Sequence, residues 1–517
     1  MTTTSAKIGT AMAWTMLSRV GRMVLGIVTS AIVVRGLGEH DYGVLSVLRS
    51  VLMFVVLLAG VGTGQALLKY LPELRVARDR AGARALVRGV LVTHVGAWLA
   101  LVALAYAVQP ALEGVFHIDG VGLYVLIAVV LAVFEIVFMV ATHVLNASFD
   151  AARLSLATLA SHVVYAVALL VAFNRGWGVV GVLGAAAAGS AVATALVWSR
   201  VRVATDFDRG PEPATSGAPV PAVTRSRVLR YSLPFAAVGV LNLVVWRQSE
   251  TLLLAHFRSA EETGYFDAAY RLPQTVLEFV PGTVWPLVMA GMSEAFARDR
   301  KSLRRAVSTY YRMLFALCAP ICVAGAVAGG RFVEVLYGPA MQPAAVPAQL
   351  FFVIFTVSFL STPLSMALYV LEKTHVNLVI YLLLAVLNVG LDIVLIPRFG
   401  VYGAIVPVAI AILLQPVLYY VAVHRFDTGV RIPFGYVGRC FLGAAPLFLM
   451  APVLAVWDGA VGLLVAACAG AIACVIGYRW ARVLGDEEID SLSKLPVPGA
   501  SAAAALLGAT GSKRKGK

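Results

Sequence analysis

VGLYVLIAVVLAVFEIVFMVATHVLN, running from Val121 to Asn146, carries one acidic side chain, Glu135, in an otherwise apolar stretch. Apolar residues follow one another without the period-two alternation of a half-buried strand. Coiled as a helix, such a run reaches roughly 39 Å, more than the ~30 Å of a bilayer's hydrocarbon core. Lipid offers no water to a free backbone N–H or C=O, so a segment like this crosses as a helix.

Runs of the same kind recur along the whole chain. They lie near 11–34, 42–68, 86–108, 154–173 and 178–198, and again near 229–256, 265–292, 308–329, 346–371, 376–396, 401–423, 436–456 and 459–480. With 60% hydrophobic and only 13% charged residues in 517, the chain has too little charge to cover a water-soluble surface. The expectation is an all-α integral membrane protein with about fourteen transmembrane helices. The first run contains Arg19 and Arg22 and lacks a cleavage site, so it reads as a retained helix and not a signal peptide. Cys318, Cys322, Cys440, Cys468 and Cys474 all fall inside spans, which argues for packing and against disulfides or a metal site.

The net charge of +14 is distributed as topology. Lys69, Arg75, Arg78, Arg80, Arg84 and Arg88 follow the second span; Arg298, Arg300, Lys301, Arg304 and Arg305 follow the eighth; Lys513, Arg514, Lys515 and Lys517 end the chain. The alternate loops hold single arginines such as Arg35, Arg175, Arg258, Arg331 and Arg398. This is the positive-inside pattern, placing both termini in the cytoplasm of a cytoplasmic (inner) membrane, with Trp177, Trp198, Trp457 and Trp480 near span ends. The basic balance therefore implies contact with membrane lipids, not with nucleic acid.

The chain divides into two related parts. Residues 1–202 form an N-terminal lobe of six helices, 203–227 a Pro-rich cytoplasmic linker, and 228–425 a second lobe of six. Helices thirteen and fourteen occupy 426–485, and 486–517 is a disordered basic tail. Gly178-Val-Val-Gly181 is echoed 222 residues later by Gly400-Val-Tyr-Gly403, and Arg49 by Arg271 at the same offset. Asp41-Tyr-Gly43 precedes the first of these arginines and Thr263-Gly-Tyr265 the second. Six spans per repeat gives both lobes one orientation, the parallel-repeat plan of several transporter classes, with a binding site between lobes.

Arg19, Arg22, Arg49, Arg247, Glu250 and Arg271 lie within spans. A lipid-facing arginine near mid-bilayer costs about 2.5–3.5 kcal/mol on insertion scales. Several together require water, counter-charges or a polar ligand. The competing readings are that Arg19, Arg49 and Arg271 snorkel toward an interface, and that Arg247 and Glu250 form a structural ion pair. The symmetric placement of Arg49 and Arg271 favours a cavity. A positive cavity implies an anionic substrate, and the planar fork of arginine suits phosphate. Glu135, Glu250 and Glu278 are candidates for charge balance or for coupling to a proton or cation. Asn388 and Asp392 read as structural, and His94, His143 and His162 as hydrogen-bonded core residues. Asp206-Phe-Asp208 matches a DxD pattern but sits in the linker with no catalytic domain. No P-loop, nucleophile elbow or HExxH is present, so no catalytic residue, cofactor or metal is assigned.

The chain resembles the MOP superfamily of exporters, and within it the polysaccharide-biosynthesis flippases. The likeness rests on Gly36-Leu-Gly38 through Asp41-Tyr-Gly43, Lys69-Tyr-Leu-Pro-Glu73 and Gly400-Val-Tyr-Gly-Ala404, over roughly the first twelve helices. Thr15-Met-Leu-Ser-Arg19-Val20, Arg49 and Ala269-Tyr-Arg271-Leu272 are also similar to the lipid II flippases, in which arginines at such places line the cavity. Arg22 departs from that family's spacing. The resemblance implies a polyprenyl-diphosphate-linked oligosaccharide as cargo, moved outward by rocking lobes, with Arg19, Arg49 and Arg271 on the diphosphate. Arg22 and Arg247 would set the cavity potential, and the last two helices would hold the lipid tail. Polysaccharide polymerase machinery would be a partner. The alternatives are a lipid II flippase, a multidrug antiporter of the same superfamily, and a membrane-embedded polymerase or ligase. Cationic drugs call for cavity carboxylates, whereas arginines dominate helices one, two and eight here; such enzymes call for a sizeable external loop, whereas the longest external loops, near 109–120 and 330–345, are short.

Overall fold

The computed structural model describes residues 2–148, 150–204, 223–243, 249–298, 302–371, 373–426, 429–457 and 459–485. The side chains of 2–20 and of most of 279–298 lie outside that description, as do Arg247, most of the linker and the basic tail. Helix is nearly continuous, and no strand occurs among the described residues. The first elements are α1 (Thr2–Gly60), α2 (Thr63–Val76), α3 (Arg80–Phe116), α4 (Val121–Ala147), α5 (Ala151–Asn174) and α6 (Gly178–Ala204). Then come α7 (Arg225–Leu243), α8 (Ser249–Phe257), α9 (Ala260–Arg298), α10 (Ser302–Tyr337), α11 (Ala345–Ser358) and α12 (Thr362–Val370). The chain ends in α13 (Thr374–His424), α14 (Phe434–Ala444), α15 (Met450–Val456) and α16 (Gly459–Trp480).

Ten segments among the described residues are long and apolar enough to cross a membrane. Two of them are double spans. In α1 the helix is interrupted at Gly38 (φ 77°, ψ −177°), and in α13 at Gly400 (φ 54°, ψ −129°). A Cβ on Gly403 would lie 2.3 Å from the Leu395 carbonyl oxygen, so the chain doubles back sharply there. Taking α7 with α8 as one further span and α9 as another reaches the fourteen expected. Gly178, 222 residues before Gly400, has nearly the same left-handed backbone, φ 51° against 54°. Only a residue without Cβ adopts that region at little cost, so the two matching Gly-containing segments meet one backbone requirement.

The helix is broken again at the far end of the second span. Between α1 and α2, Val61 (φ 45°) and Gly62 (φ 67°) are left-handed. The break frees the Gly60 carbonyl, which accepts from Thr63 Oγ1 at 2.8 Å and lies 3.0 Å from His94 Nε2. A Cβ on Gly62 would come within 2.2 Å of the Ser232 carbonyl oxygen, so α7 packs backbone to backbone at this point. His94, fully buried, is thus a core hydrogen-bonding residue, as expected. His162 likewise bonds the Thr158 carbonyl, at 2.8 Å.

By internal packing the chain groups into Leu17–Gly264 and a second unit, Tyr265–Lys517 with Met1–Met16. In the first, Leu67, Leu71, Leu86, Val140, Val144 and Val197 belong to one apolar core built from α2, α3, α4 and α6. Its end is closed by Tyr70 and Tyr231, with Lys69 Nζ 4.3 Å from the Tyr231 ring centre and Arg227 paired to Glu73 at 3.8 Å. In the second, Tyr270 of α9 packs edge-on against Phe351 and Phe355 of α11, at 5.0 and 4.8 Å. The last helix is fixed by Tyr478, whose hydroxyl donates to the Ala316 carbonyl of α10 at 2.9 Å.

The first turn of α9 is held to the start of the second span. His40 meets Glu261 at 2.6 Å, and a Cβ on Gly43 would overlap the Ala260 carbonyl oxygen at 1.7 Å. Gly43→Ala should therefore force the two backbones apart and lower the melting temperature in detergent by several degrees, a loss of about 1–3 kcal/mol. Gly89→Ala, on an exposed helix face with nothing near its Cβ position, should leave stability unchanged or raise it by about 0.5–1 kcal/mol. The His40 hydrogen bond also holds the Glu261 carboxyl below the usual carboxylate range. A depressed folded pKa means that the unfolded chain binds the proton more readily. The contribution is complete above the unfolded value of about 4.3 and is lost as pH falls through the folded one. Melting curves in acid should show this loss in the wild type and a flatter acid limb in Glu261→Gln.

Candidate functional site: the intramembrane charges

Depth along a helix can be read from the hairpin ends. Arg49 follows Gly38 by eleven residues, and Arg271 follows Ala260 by eleven. Each therefore lies about 16 Å into its span, the middle of a ~30 Å hydrocarbon core, too deep to reach the interface of that end. Both side chains are half-buried.

Their surroundings differ. Arg271 Nε lies 3.2 Å from Asp267 Oδ2 and its Nη2 lies 3.4 Å from Oδ1, with the Asp267 side chain only 4% exposed. The two are one turn apart on α9, aspartate first, the spacing at which such pairs meet. At the position equivalent to Asp267, 222 residues earlier, stands Leu45. Arg49 makes no hydrogen bond or ion pair with any described residue. Its neighbours Ser46 and Ser50 spend their hydroxyls on the carbonyls of Tyr42 and Ser46, at 2.9 and 3.1 Å. Among the described residues, then, the cation of one span has no hydrogen-bond or ion-pair partner and that of the other has one. Asp267 went unassigned from the sequence, though the i, i+4 spacing was the available signal.

Glu135 is accessible on α4. One and two turns further along the same face, Met139 would touch a Cβ on Gly60 at 3.2 Å, and the His143 ring would overlap one on Gly64 at 2.3 Å. Glu135 therefore lies on the side of α4 turned toward the second span. Arg49 lies eleven residues before Gly60 on that span, beyond the stretch that these contacts describe.

Arg22 is half-buried on the first half of α1. Glu250 is fully buried at the start of α8, and Ser249 Oγ donates to its Oε2 at 3.2 Å. Glu278 accepts from Gln274 Nε2 at 2.9 Å and is exposed. Arg19 lies in α1 and Arg247 between α7 and α8, their side chains outside the described residues. Arg22, Arg49, Glu135 and Glu250 belong to the unit Leu17–Gly264, whereas Arg271 and Glu278 belong to the other. Asn388 and Asp392 are buried together on α13, Asn388 Nδ2 donating to Asp392 Oδ2 at 3.3 Å. Among the described residues no cluster of three His, Cys, Asp or Glu side chains is placed to hold a metal ion.

Residues 32–346 match the model of a family described as "Polysaccharide biosynthesis protein". The chain belongs to that family. No curated protein matches it by sequence. Among solved structures, a lipid II flippase, MurJ, in an inward closed conformation superposes with a TM-score of 0.67 at 13% identity, covering 90% of this chain and 98% of MurJ. An inward-facing multidrug resistance MATE family transporter of the MOP superfamily gives 0.63 at 14% identity, covering 80% and 98%. A Vibrio cholerae MATE transporter, VcmN, gives 0.57 at 16% identity, covering 84% and 100%. At such identities the likeness is one of fold: this polysaccharide biosynthesis protein is built on the MOP-superfamily architecture, as its motifs suggested.

In this family member the Asp267–Arg271 pair offers a direct measurement. Asp267→Asn leaves Arg271 with a weaker partner at mid-membrane and should lower thermal stability by about 1–3 kcal/mol. Arg271→Gln added to Asp267→Asn should recover part of that loss, which a cycle of melting curves in detergent will show.

Proposed function

We propose that this protein is a flippase that carries a polyprenyl-diphosphate-linked oligosaccharide from the cytoplasmic to the outer face of the cytoplasmic membrane for cell-surface polysaccharide synthesis. The observation that carries the reading is Arg49, a half-buried guanidinium at mid-membrane with no described partner. Such a charge favours an anionic headgroup over a cationic drug, and its fork of donors suits a diphosphate. Membership of a polysaccharide biosynthesis family and a fold shared with a lipid II flippase support the same class of cargo. A lipid II flippase is the second reading, favoured by that fold likeness.

In this proposal both termini are cytoplasmic, and the lobes 1–202 and 228–425 alternate access around the cargo while 426–485 accompanies its lipid tail. Arg49 binds the diphosphate directly. Arg271 joins it when the cargo competes with Asp267 for its donors. Arg19 contacts the diphosphate as well, Arg22 and Arg247 set the potential of the cavity, and Glu135, Glu250 and Glu278 balance charge as the lobes move. No bond is made or broken, and the partners are the lipid-linked sugar, membrane lipids and the polymerase that consumes the cargo.

The test is the sidedness of polyprenyl-diphosphate-linked sugars in cells depleted of the protein. Accumulation on the cytoplasmic face, relieved by wild type and at least about tenfold less by Arg49→Ala at equal membrane abundance, is the expected result. Full relief by Arg49→Ala would remove Arg49 from the cargo site, and unchanged sidedness on depletion would end the flippase reading.

A further inference from the structure

Within the unit Tyr265–Lys517, three helical segments bring polar side chains together along one seam. Gly400 divides α13 into two arms. Ser361, Ser365 and Tyr369 follow one another at single turns along α12, Gln415 and Tyr419 along the second arm of α13, and Asn377 and Tyr381 along its first arm. The three stripes meet. Ser361 Oγ donates to Gln415 Oε1 at 2.9 Å, the Tyr419 hydroxyl lies among Ser365, Tyr369 and Tyr381, and Asn377 stands beside Tyr369. The inner end of the seam is a gap in the helix, where α11 stops at Ser358 and α12 begins at Thr362, with Pro363 lacking an N–H in its first turn. Ser361 lies ten residues before Leu371 and Gln415 nine before His424. Both are therefore about 14–15 Å from the end of their span, the middle of a ~30 Å hydrocarbon core. Tyr369 and Asn377 mark the outer end, next to Lys373, whose Nζ lies 5.3 Å from the centre of the Phe426 ring.

Two of these side chains are buried without a hydrogen bond. Tyr419 is 1% exposed and Asn377 3% exposed, yet the Tyr419 hydroxyl and both amide atoms of Asn377 meet no partner in hydrogen-bonding geometry. A buried amide or hydroxyl left in that condition is less favourable than an apolar side chain of the same shape, and lipid supplies nothing to relieve it. Whatever satisfies this set must both donate and accept, because it comprises an amide oxygen, an amide NH2 and a hydroxyl. A cation would meet the oxygens alone and an anion the donors alone. Water meets all three, and a buried water characteristically bonds to about three such groups. None of the seven side chains along the seam carries a charge, so the seam has nothing with which to select a diphosphate.

We infer that this seam is a water-filled inlet, opening beside the end of α12 and reaching the mid-membrane gap between α11 and α12. On the orientation proposed above it opens to the cytoplasm; the inlet itself does not rest on that orientation. It uses none of the residues assigned to the cargo. Ordered water bonds Asn377 and Tyr419, and through them joins α12 to the two arms of α13 where direct side-chain hydrogen bonds do not.

Radiolytic footprinting of the purified full-length protein in detergent tests this directly. An X-ray pulse splits water into hydroxyl radicals, which modify the side chains next to that water before they can diffuse. Corrected for the reactivity of each residue type, Tyr419 should be modified at least about fivefold faster than Phe266 and Phe351, because bound water lies against it. Those two rings are fully buried and packed on one another with centres 5.6 Å apart. Brief mixing with water labelled in heavy oxygen before the pulse should carry the label into Tyr419, as into Tyr402, which is exposed near the hairpin tip. A Tyr419 rate no higher than those of the two phenylalanines would overturn the hydration. Label at Tyr402 without label at Tyr419 would overturn the inlet. Asn377→Leu gives an independent reading. In a dry seam it removes an unsatisfied amide and raises the melting temperature. In a wet one it takes a partner from the water, so the melting temperature should fall by several degrees and the Tyr419 rate by about twofold or more. A raised melting temperature with an unchanged Tyr419 rate counts against the water. Should Asn377→Leu not fold, the pulses on the wild type decide alone. No step depends on transport, so failure of the sidedness experiment leaves this result standing by itself.

Discussion

A chain that crosses lipid has to satisfy each backbone N–H and C=O from within, and most features of this protein answer to that demand. Where the helix continues, the answer is automatic. Where it stops, something local takes over. At Gly38 and Gly400 the interruption is a single residue, so few groups are released. At Val61 and Gly62 it falls at the far end of a span, and the Gly60 carbonyl is met by Thr63 and His94. His94 is buried in an apolar bundle because a broken helix needs a donor there, and the missing Cβ of Gly62 lets the backbone of α7 close over the gap.

The same demand, applied to side chains, separates the two repeats. Arg49 and Arg271 occupy the same depth at the same offset, yet only Arg271 has an aspartate one turn away. The two positions, alike in sequence, thus differ in electrostatics: among the described residues Arg271 is screened by a carboxylate and Arg49 is not.

Spans were legible because lipid writes them in composition alone. Val121–Asn146 needed no knowledge of its neighbours to be read as a helix, and α4 runs over Val121–Ala147. The repeat was legible at Gly178 and Gly400, where a backbone requirement forces one residue type. The Asp267–Arg271 pair is written locally too, at i, i+4, but Asp267 lies only two residues into the run near 265–292, where an acid reads equally well as part of the turn. Other features are tertiary. Nothing near Gly43 in sequence announces the Ala260 carbonyl, and nothing near Tyr478 announces the Ala316 carbonyl, since each pair is separated by more than a hundred residues. The grouping of α7 and α8 with Leu17–Gly264 is likewise a fact of packing that the linker's composition does not reveal.

The one-residue joins at Gly38 and Gly400 bear on how the chain reaches the membrane. A helix tied to its successor by a single residue has no slack with which to move sideways into lipid while the next segment is still being made. Each such pair therefore enters the bilayer together, as a preformed hairpin, with almost no polar chain dragged across. For these two pairs the residue at the tip, not a loop, sets which helices enter as partners.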